Sequence, residues 1–193
     1  YFITGGAGFI GSHLSETLLG QGHDIVSIDN FNDYYDVKLK KRNCKTVEEY
    51  ANKSNRKFIM YQGDIRDKNL IDEIFGNHKI DAVVSLAANA GVRPSIDNPL
   101  FYVDVNLIGL TNLLEACRIH KVRSFVFVSS SSVYGNNKKV PFSESDPVDH
   151  PISPYAATKK AGELLCHTYH SLYDINMACL RYFTVYGPRQ RPD

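Results

Sequence analysis

Residues 3–14, ITGGAGFIGSHL, follow the apolar run Tyr1–Thr4 and lead into a stretch whose apolar residues have helical spacing. Gly5, Gly6, Gly8 and Gly11 fall between a first strand and a first helix, expected from about Ile10 to Gly20. Gly6-x-Gly8-x-x-Gly11 satisfies a dinucleotide fingerprint, and Gly5-x-x-Gly8-x-x-Gly11 is a second reading of the same turn. The physics is common to both. Glycine permits the tight turn and lets the backbone approach a pyrophosphate, while the helix N-terminus offers N–H donors to the anion. Phe9 and Ile10 belong to the same candidate cradle.

The fingerprint has a second half, an acidic residue about 20 positions on at the end of strand two. DIVSID ends on Asp29, followed by Asn30. A carboxylate there accepts hydrogen bonds from the adenosine ribose and repels a 2′-phosphate, which favours NAD over NADP. GDIRD, after a third strand, offers Asp64 and Ile65 near the adenine. LAA, after a fourth, offers Leu86, Ala87 and Ala88 as small groups to line a cofactor groove.

Outward from this turn, apolar runs alternate with helical patterns. KFIMYQGD reads as a third strand and DAVVSLAA as a fourth, SFVFVSSS as a fifth and MACLRYFTVYG as a sixth. Helices are expected over Lys68–Gly76, Pro99–His120 and Pro154–Tyr173. The strands are continuous apolar runs, as when helices cover both faces of a sheet. The expected fold is therefore α/β: a Rossmann-type doubly wound parallel sheet with helices on both faces, residues 1–193 forming one NAD-binding domain. Asn30–Asn55 is polar and rich in Tyr and Lys, and its charged part, Lys38–Lys57, reads as a solvated helix or loop where disorder is admissible. The chain opens inside a strand without methionine and stops at RPD, so it is expected to be a piece of a longer protein.

Lys and Arg number 22 against 21 Asp and Glu, which argues against a general electrostatic grip on nucleic acid or membrane. Cys44, Cys117, Cys166 and Cys179 are scattered, so reduced thiols in a cytoplasmic setting are expected rather than a disulfide framework. His167 and His170 lack a further ligand at usable spacing, and no metal site is expected. No apolar stretch is expected to approach the roughly 20 residues of a membrane span, and no signal peptide is expected.

SPYAATKKAGELL carries Tyr155 and Lys159, one turn apart on one helix face. A phenol with a pKa near 10 is no base at neutral pH unless something stabilises the phenolate. A nearby ammonium and an oxidised nicotinamide would both do so. VSSSSVYG, residues 128–135, ends the fifth strand where doubly wound sheets bind ligands, and the Ser130 hydroxyl can bridge a substrate oxygen and Tyr155.

TGGAGFIG, SSSSVYG and SPYAATKKAGE together resemble the extended short-chain dehydrogenase/reductases of the NAD-dependent epimerase/dehydratase family, and essentially the whole chain fits that pattern. The resemblance implies Ser130, Tyr155 and Lys159 as catalytic residues, with Tyr155 and Lys159 also meeting the cofactor. It also implies a C-terminal substrate domain that is largely absent here. Dehydratases of the family carry an acidic pair, and UDP-glucuronate decarboxylases commonly a Glu, where this chain has Ser131 and Ser132. Redox without elimination or decarboxylation remains, which implies a 4-epimerase.

DNFNDYYDVKLK, AANAGVRPSIDNP, DHPISPYAATKKAGE and RYFTVYGPRQRPD resemble UDP-glucuronate 4-epimerases in particular. Glucose 4-epimerases usually carry Asn where this chain has Thr184, and UDP-glucose or UDP-N-acetylglucosamine remains the alternative substrate. A non-catalytic NAD-binding sensor or scaffold is the more distant alternative. Arg93, Arg189 and Arg191 are cations that could meet a uronate or a diphosphate, with Arg191 preferred for the uronate. The expected substrate contacts are Arg93, Ser131, Ser132, Thr184 and Arg191. Asn106, in VDVNLIG, matches a position near the cofactor in the family and reads equally as a capping or interhelical amide. The family further implies a homodimer through Pro99–His120 and Pro154–Tyr173, although the same faces could pack within one chain.

Overall fold

The computed structural model describes residues 1–191. Its centre is a parallel six-stranded sheet in the order β3-β2-β1-β4-β5-β6. The strands are β1 (Phe2–Thr4), β2 (Ile25–Asp29), β3 (Phe58–Gln62), β4 (Val83–Ser85), β5 (Ser124–Val128) and β6 (Asn176–Leu180). Seven α-helical segments connect them: α1 (Phe9–Gly20), α2 (Val37–Lys53), α3 (Lys68–Asn77), α4 (Val92–Asp97), α5 (Pro99–Val103), α6 (Gly109–Ile119) and α7 (Pro154–Tyr173). This is the expected Rossmann-type sheet. The chain winds from β1 out to β3, then returns to β4 on the other side of β1, leaving a crevice at the carboxyl ends of β1 and β4.

Alternation along β1 divides the core. Phe2 joins the larger cluster with Ile71, Ile74, Leu110, Leu113, Leu114 and Phe125 under α3, α6 and α7. Ile3 joins Leu19, Ile25, Val47, Ala51 and Val84 under α1 and α2. All of these side chains are buried, so each face of the sheet has its own apolar layer.

Four expectations change. The segment 37–53 is a regular helix whose Cys44, Val47 and Ala51 are buried, with Asp36 capping its start by accepting from the Lys38 N–H at 2.9 Å. Most of its charges occupy one face; the other face, which also carries the buried Lys40, seals the smaller core with Val47 and Ala51. The helix expected over Pro99–His120 widens into a π-helical segment at Asp104–Ile108, and a separate α4 precedes it. The stretch Pro99–Ile119 is long and apolar enough to span a bilayer by composition, and half of its most apolar window is buried inside the protein. The sixth strand stops at Leu180, and residues 181–191 continue without regular structure.

A Cβ on Gly11 would lie 2.3 Å from the Gly5 carbonyl oxygen and 2.8 Å from the Gly6 Cα, both immobile backbone atoms. Alanine in a helix gains about 1 kcal/mol over glycine, whereas overpacking costs about 1–3 kcal/mol. The contact here is with backbone, so the steric cost wins. Gly11→Ala is expected to lower stability despite its better helix propensity, read as a lower urea midpoint.

Candidate active site

A cleft of about 600 Å³ opens at the carboxyl ends of the strands. Its floor is the turn after β1. Thr4 Oγ1 accepts the N–H groups of Leu86 and Ala87 at 3.1 and 3.0 Å, tying β1 to the loop after β4 across the crevice. Gly5 adopts φ +74°, and a Cβ there would sit 3.0 Å from the Ala87 nitrogen. No side chain caps the first turn of α1, and that turn carries no acidic residue. It therefore presents N–H donors to an anion.

Asp29, 7% exposed at the end of β2, accepts the Ala7 N–H at 3.2 Å and the Phe31 N–H at 2.9 Å. Lys40 Nζ lies 3.6 Å from the same carboxylate and donates to Asn32 Oδ1 at 2.8 Å. Asn43 Nδ2 donates to the Ala7 carbonyl at 2.9 Å, so α2 props the glycine turn from behind. A carboxylate oxygen accepts more than one bond, so Asp29 retains capacity for a ribose hydroxyl. The side-chain-free turn, the uncapped helix start and this carboxylate fit a dinucleotide.

The catalytic candidates meet on the other wall. SPY starts α7 as the residue types require: the Ser153 hydroxyl accepts the Ala156 N–H at 3.1 Å and Pro154 occupies the first turn. That cap sets Tyr155 at the mouth of the cleft, with Lys159 one turn below it. Lys159 Nζ, buried, donates to the Val128 carbonyl at 2.7 Å and stands 6.0 Å from the Tyr155 ring centre. Ser130 stands on the same wall of the cleft and acts to lower the phenol. Its Oγ donates to Ser132 Oγ at 3.2 Å and accepts the Ser132 N–H at 3.1 Å, capping the 3-10 turn Ser131–Tyr134.

Burial pushes the Tyr155 phenol above its ordinary value, opposed by Ser130 and the Arg191 charge. Burial also pushes the Lys159 ammonium down, to about 8, where it donates to the Val128 carbonyl.

The GDP-mannose 4,6 dehydratase family model matches residues 2–193. The chain belongs to the extended short-chain dehydrogenase/reductases. A UDP-glucuronate 4-epimerase of Thermodesulfobacterium geofontis is 47% identical over 193 residues, covering 100% of this chain and 58% of that protein. Among solved structures, UDP-glucuronic acid 4-epimerase from Bacillus cereus in complex with UDP-glucuronic acid and NAD superposes with a TM-score of 0.85 at 40% identity, covering 100% of this chain and 59% of that one. UDP-glucose 4-epimerase from Thermotoga maritima with UDP-glucose gives a TM-score of 0.85 at 34% identity, covering 99% and 57%. The chain spans about half the length of the curated relatives it matches.

In this member of the extended short-chain dehydrogenase/reductases, most of the residues singled out from sequence line the one cleft. Gly5, Gly8, Phe9, Ile10, Gly11, Asp29, Asn30, Asp64, Ile65, Leu86, Ala87 and Ala88 lie along the dinucleotide side. Ser130, Ser131, Ser132, Tyr155, Lys159, Thr184 and Arg191 lie along the other. Two arginines depart. Arg93 is exposed on α4 and does not line the cleft, since the turn at Gly91 (φ +105°) starts a helix that carries it outward. Arg189 Nη2 binds Glu16 on α1 at 2.8 Å, while its buried Nη1 has no hydrogen-bond partner among the described residues. Asn106 is an interhelical amide: it accepts the Asn89 N–H at 2.8 Å, and donates to the Asn89 carbonyl at 3.1 Å and to Thr158 Oγ1 at 3.0 Å. The π-helical segment aims it there, a common use of such bulges near functional sites. The last two residues of RYFTVYGPRQRPD lie outside the described residues. Lys40, Tyr34 and Gln190, which lie in DNFNDYYDVKLK and RYFTVYGPRQRPD but are not singled out there, also line the cleft. They arrive through the packing of α2 and the return of residues 181–191.

Asp64 accepts the Arg66 N–H, Nε and Nη2, each at 2.9 Å, and Asn30 Nδ2 at 3.0 Å. The Arg66 hydrogen bonds, opposed by burial, hold its carboxyl down to about 2. A carboxylate lowered on folding stabilises the protein above its unfolded pKa, and that contribution disappears as pH falls from 3.8 to about 2. Asp64→Asn is expected to flatten the stability profile across that window, measured as urea midpoints against pH.

Proposed function

We propose that this chain is the NAD-binding part of a UDP-sugar 4-epimerase and that the sugar nucleotide is UDP-glucuronate. One observation carries the reading: Ser130, Tyr155 and Lys159 converge on the cleft that Asp29 and the glycine turn begin, with serines rather than acids at positions 131 and 132. A sensor would need the cradle but not the phenol. The carboxylate of Asp29 favours NAD over NADP, and Lys40 beside it adds a donor for the ribose.

NAD⁺ bound here would supply a reversible hydride acceptor for C4, so that the sugar passes through a 4-keto form, and a positive charge beside the phenol. Tyr155 takes the proton of the C4 hydroxyl and returns it after the sugar has turned. Ser130, which acts to lower the Tyr155 phenol, is assigned to give its one hydroxyl hydrogen to the C4 oxygen when the sugar is bound. Lys159, held by the Val128 carbonyl, keeps a buried ammonium under the ring and has donors left for ribose hydroxyls. Thr184 and Arg191 are assigned to the sugar, Arg191 to the uronate carboxylate, with its guanidinium 5.0 Å over the Tyr34 ring in this structure.

The full-length protein is expected to convert UDP-glucuronate to its 4-epimer faster than UDP-glucose or UDP-N-acetylglucosamine, with the epimers separated chromatographically. Tyr155→Phe should lower turnover by about 10²–10⁴-fold while bound NAD is retained. Undiminished turnover in that variant overturns the assignment. Bound NAD(H) without turnover on any of the three sugars favours the sensor.

A homodimer belongs to the same proposal. Leu100, Ile108, Leu164 and Leu172 are exposed on the outer faces of α5, the π-helical segment and α7, while the inner faces pack within the chain. Leu164→Asp should shift the full-length protein from dimer to monomer in sedimentation velocity, and an unchanged dimer argues for another interface.

A further inference from the structure

Tyr155, Lys159 and Glu163 stand at i, i+4 and i+8 on α7, one stripe along the helix. The stripe meets three consecutive residues at the end of β5. Lys159 binds the Val128 carbonyl at 2.7 Å, Glu163 Oε1 accepts from Ser129 Oγ at 2.7 Å, and Ser130 lines the cleft together with Tyr155. Two of these helix residues have a part in the chemistry. Glu163 does not, and yet it is a carboxylate only 8% exposed.

Arg181 makes that burial tolerable. Its Nε donates to Glu163 Oε1 and its Nη2 to Oε2, both at 2.9 Å, and Lys160 Nζ stands 3.8 Å away. Burial raises the Glu163 carboxyl, but the bonds from Arg181 and Ser129 outweigh it and leave it lowered, hence ionised at neutral pH. Arg181 Nη1 also reaches the Glu144 carbonyl at 3.2 Å and the Tyr134 hydroxyl at 3.3 Å. The next residue, Tyr182, accepts the Ser131 N–H at 2.8 Å. Ser130 is thus flanked by Ser129, tied to α7, and by Ser131, tied to the segment after β6. A buried ion pair is a weak source of stability compared with apolar packing. What it supplies here is a directed acceptor for the Ser129 hydroxyl.

We infer that Glu163, locked by Arg181, is a positioning residue that acts through Ser129 to set the Ser130 hydroxyl against Tyr155. Its kinetic readout rests on the epimerase reading, and its spectroscopic readout does not. The groups that face Tyr155 are Ser130, Arg191, Tyr34, Tyr102 and Lys159. Those that face Glu163 are Arg181, Ser129 and Lys160, with the Cys166 and Cys179 thiols nearby. Of the groups facing Tyr155, Ser130 is the one next to Ser129 in the chain and the first that displacement of Ser129 would move.

The test uses the full-length protein with its cofactor in two variants. Ser129→Ala keeps the Glu163–Arg181 pair and removes its link to the serine run, and Glu163→Gln keeps the shape and removes the charge. In both, kcat is expected to fall by about 10-fold or more with KM within about twofold of the parent. The acid limb of the kcat–pH profile should move to higher pH, since a displaced Ser130 no longer lowers the phenol. The double variant should lose no more than the worse single one, as residues acting as a unit do. NMR titration of ring-labelled Tyr155 should show a raised phenol pKa in both variants, whatever the substrate. If the parent epimerises none of the sugars, the epimerase reading fails, and the phenol titration still decides the positioning role. If Glu163→Gln does not fold, Ser129→Ala decides alone. A folded Ser129→Ala protein with the parent's phenol titration overturns the inference.

Discussion

The whole arrangement rests on how closely α1 approaches the turn that follows β1. Positions 8 and 11 carry no side chain, so the helix starts against the Gly5 carbonyl and its first-turn N–H groups open into the crevice. From there the other parts follow in order. Thr4 ties β1 to the loop after β4, Asn43 and Asp29 hold the turn through Ala7, and the cleft extends along the strand ends to β5. A side chain at position 11 would separate α1 from the turn and remove the floor of the site.

Charge is placed with equal economy. Asp29 and Lys40 form one buried pair at the far end of the cleft, Glu163 and Arg181 another beneath the serine run. Each carboxylate also accepts a hydrogen bond that fixes a functional loop, the glycine turn in the first case and Ser129 in the second. Desolvation of such pairs is costly, and their common position next to a loop that must be rigid accounts for it. Tyr155 and Lys159 are pushed the other way. Burial disfavours the charged form of both, so the phenol depends on Ser130, Arg191 and whatever charge enters the cleft.

Much of this was readable from the residues. Gly8, Gly11, Asp29, Ser130, Tyr155 and Lys159 occupy the places that local spacing and the strand–helix alternation gave them, because each sits at a strand end or in a first helical turn. Those positions are set by backbone geometry within a few residues. Arg93 and Arg189 show where such reading stops. Both lie near strand ends in the sequence, but the turn at Gly91 carries one outward and Glu16, 173 residues away, engages the other. The helical register of 37–53 was also obscured, since its charged face masked the apolar stripe of Cys44, Val47 and Ala51.

By itself the sequence determined the doubly wound sheet, the glycine turn and the Tyr155–Lys159 helix face, since these follow from period, glycine sterics and the caps Ser153 and Pro154. Tertiary structure alone decided that Lys40 faces Asp29, that Arg189 pairs with Glu16 on α1, that Asn106 spans two segments, and that Glu163 accepts from Ser129 and Arg181. Each of these joins residues from separate elements. Local sequence sets where a side chain lies on its own helix or strand, whereas the partner it meets depends on how whole elements stack over the sheet.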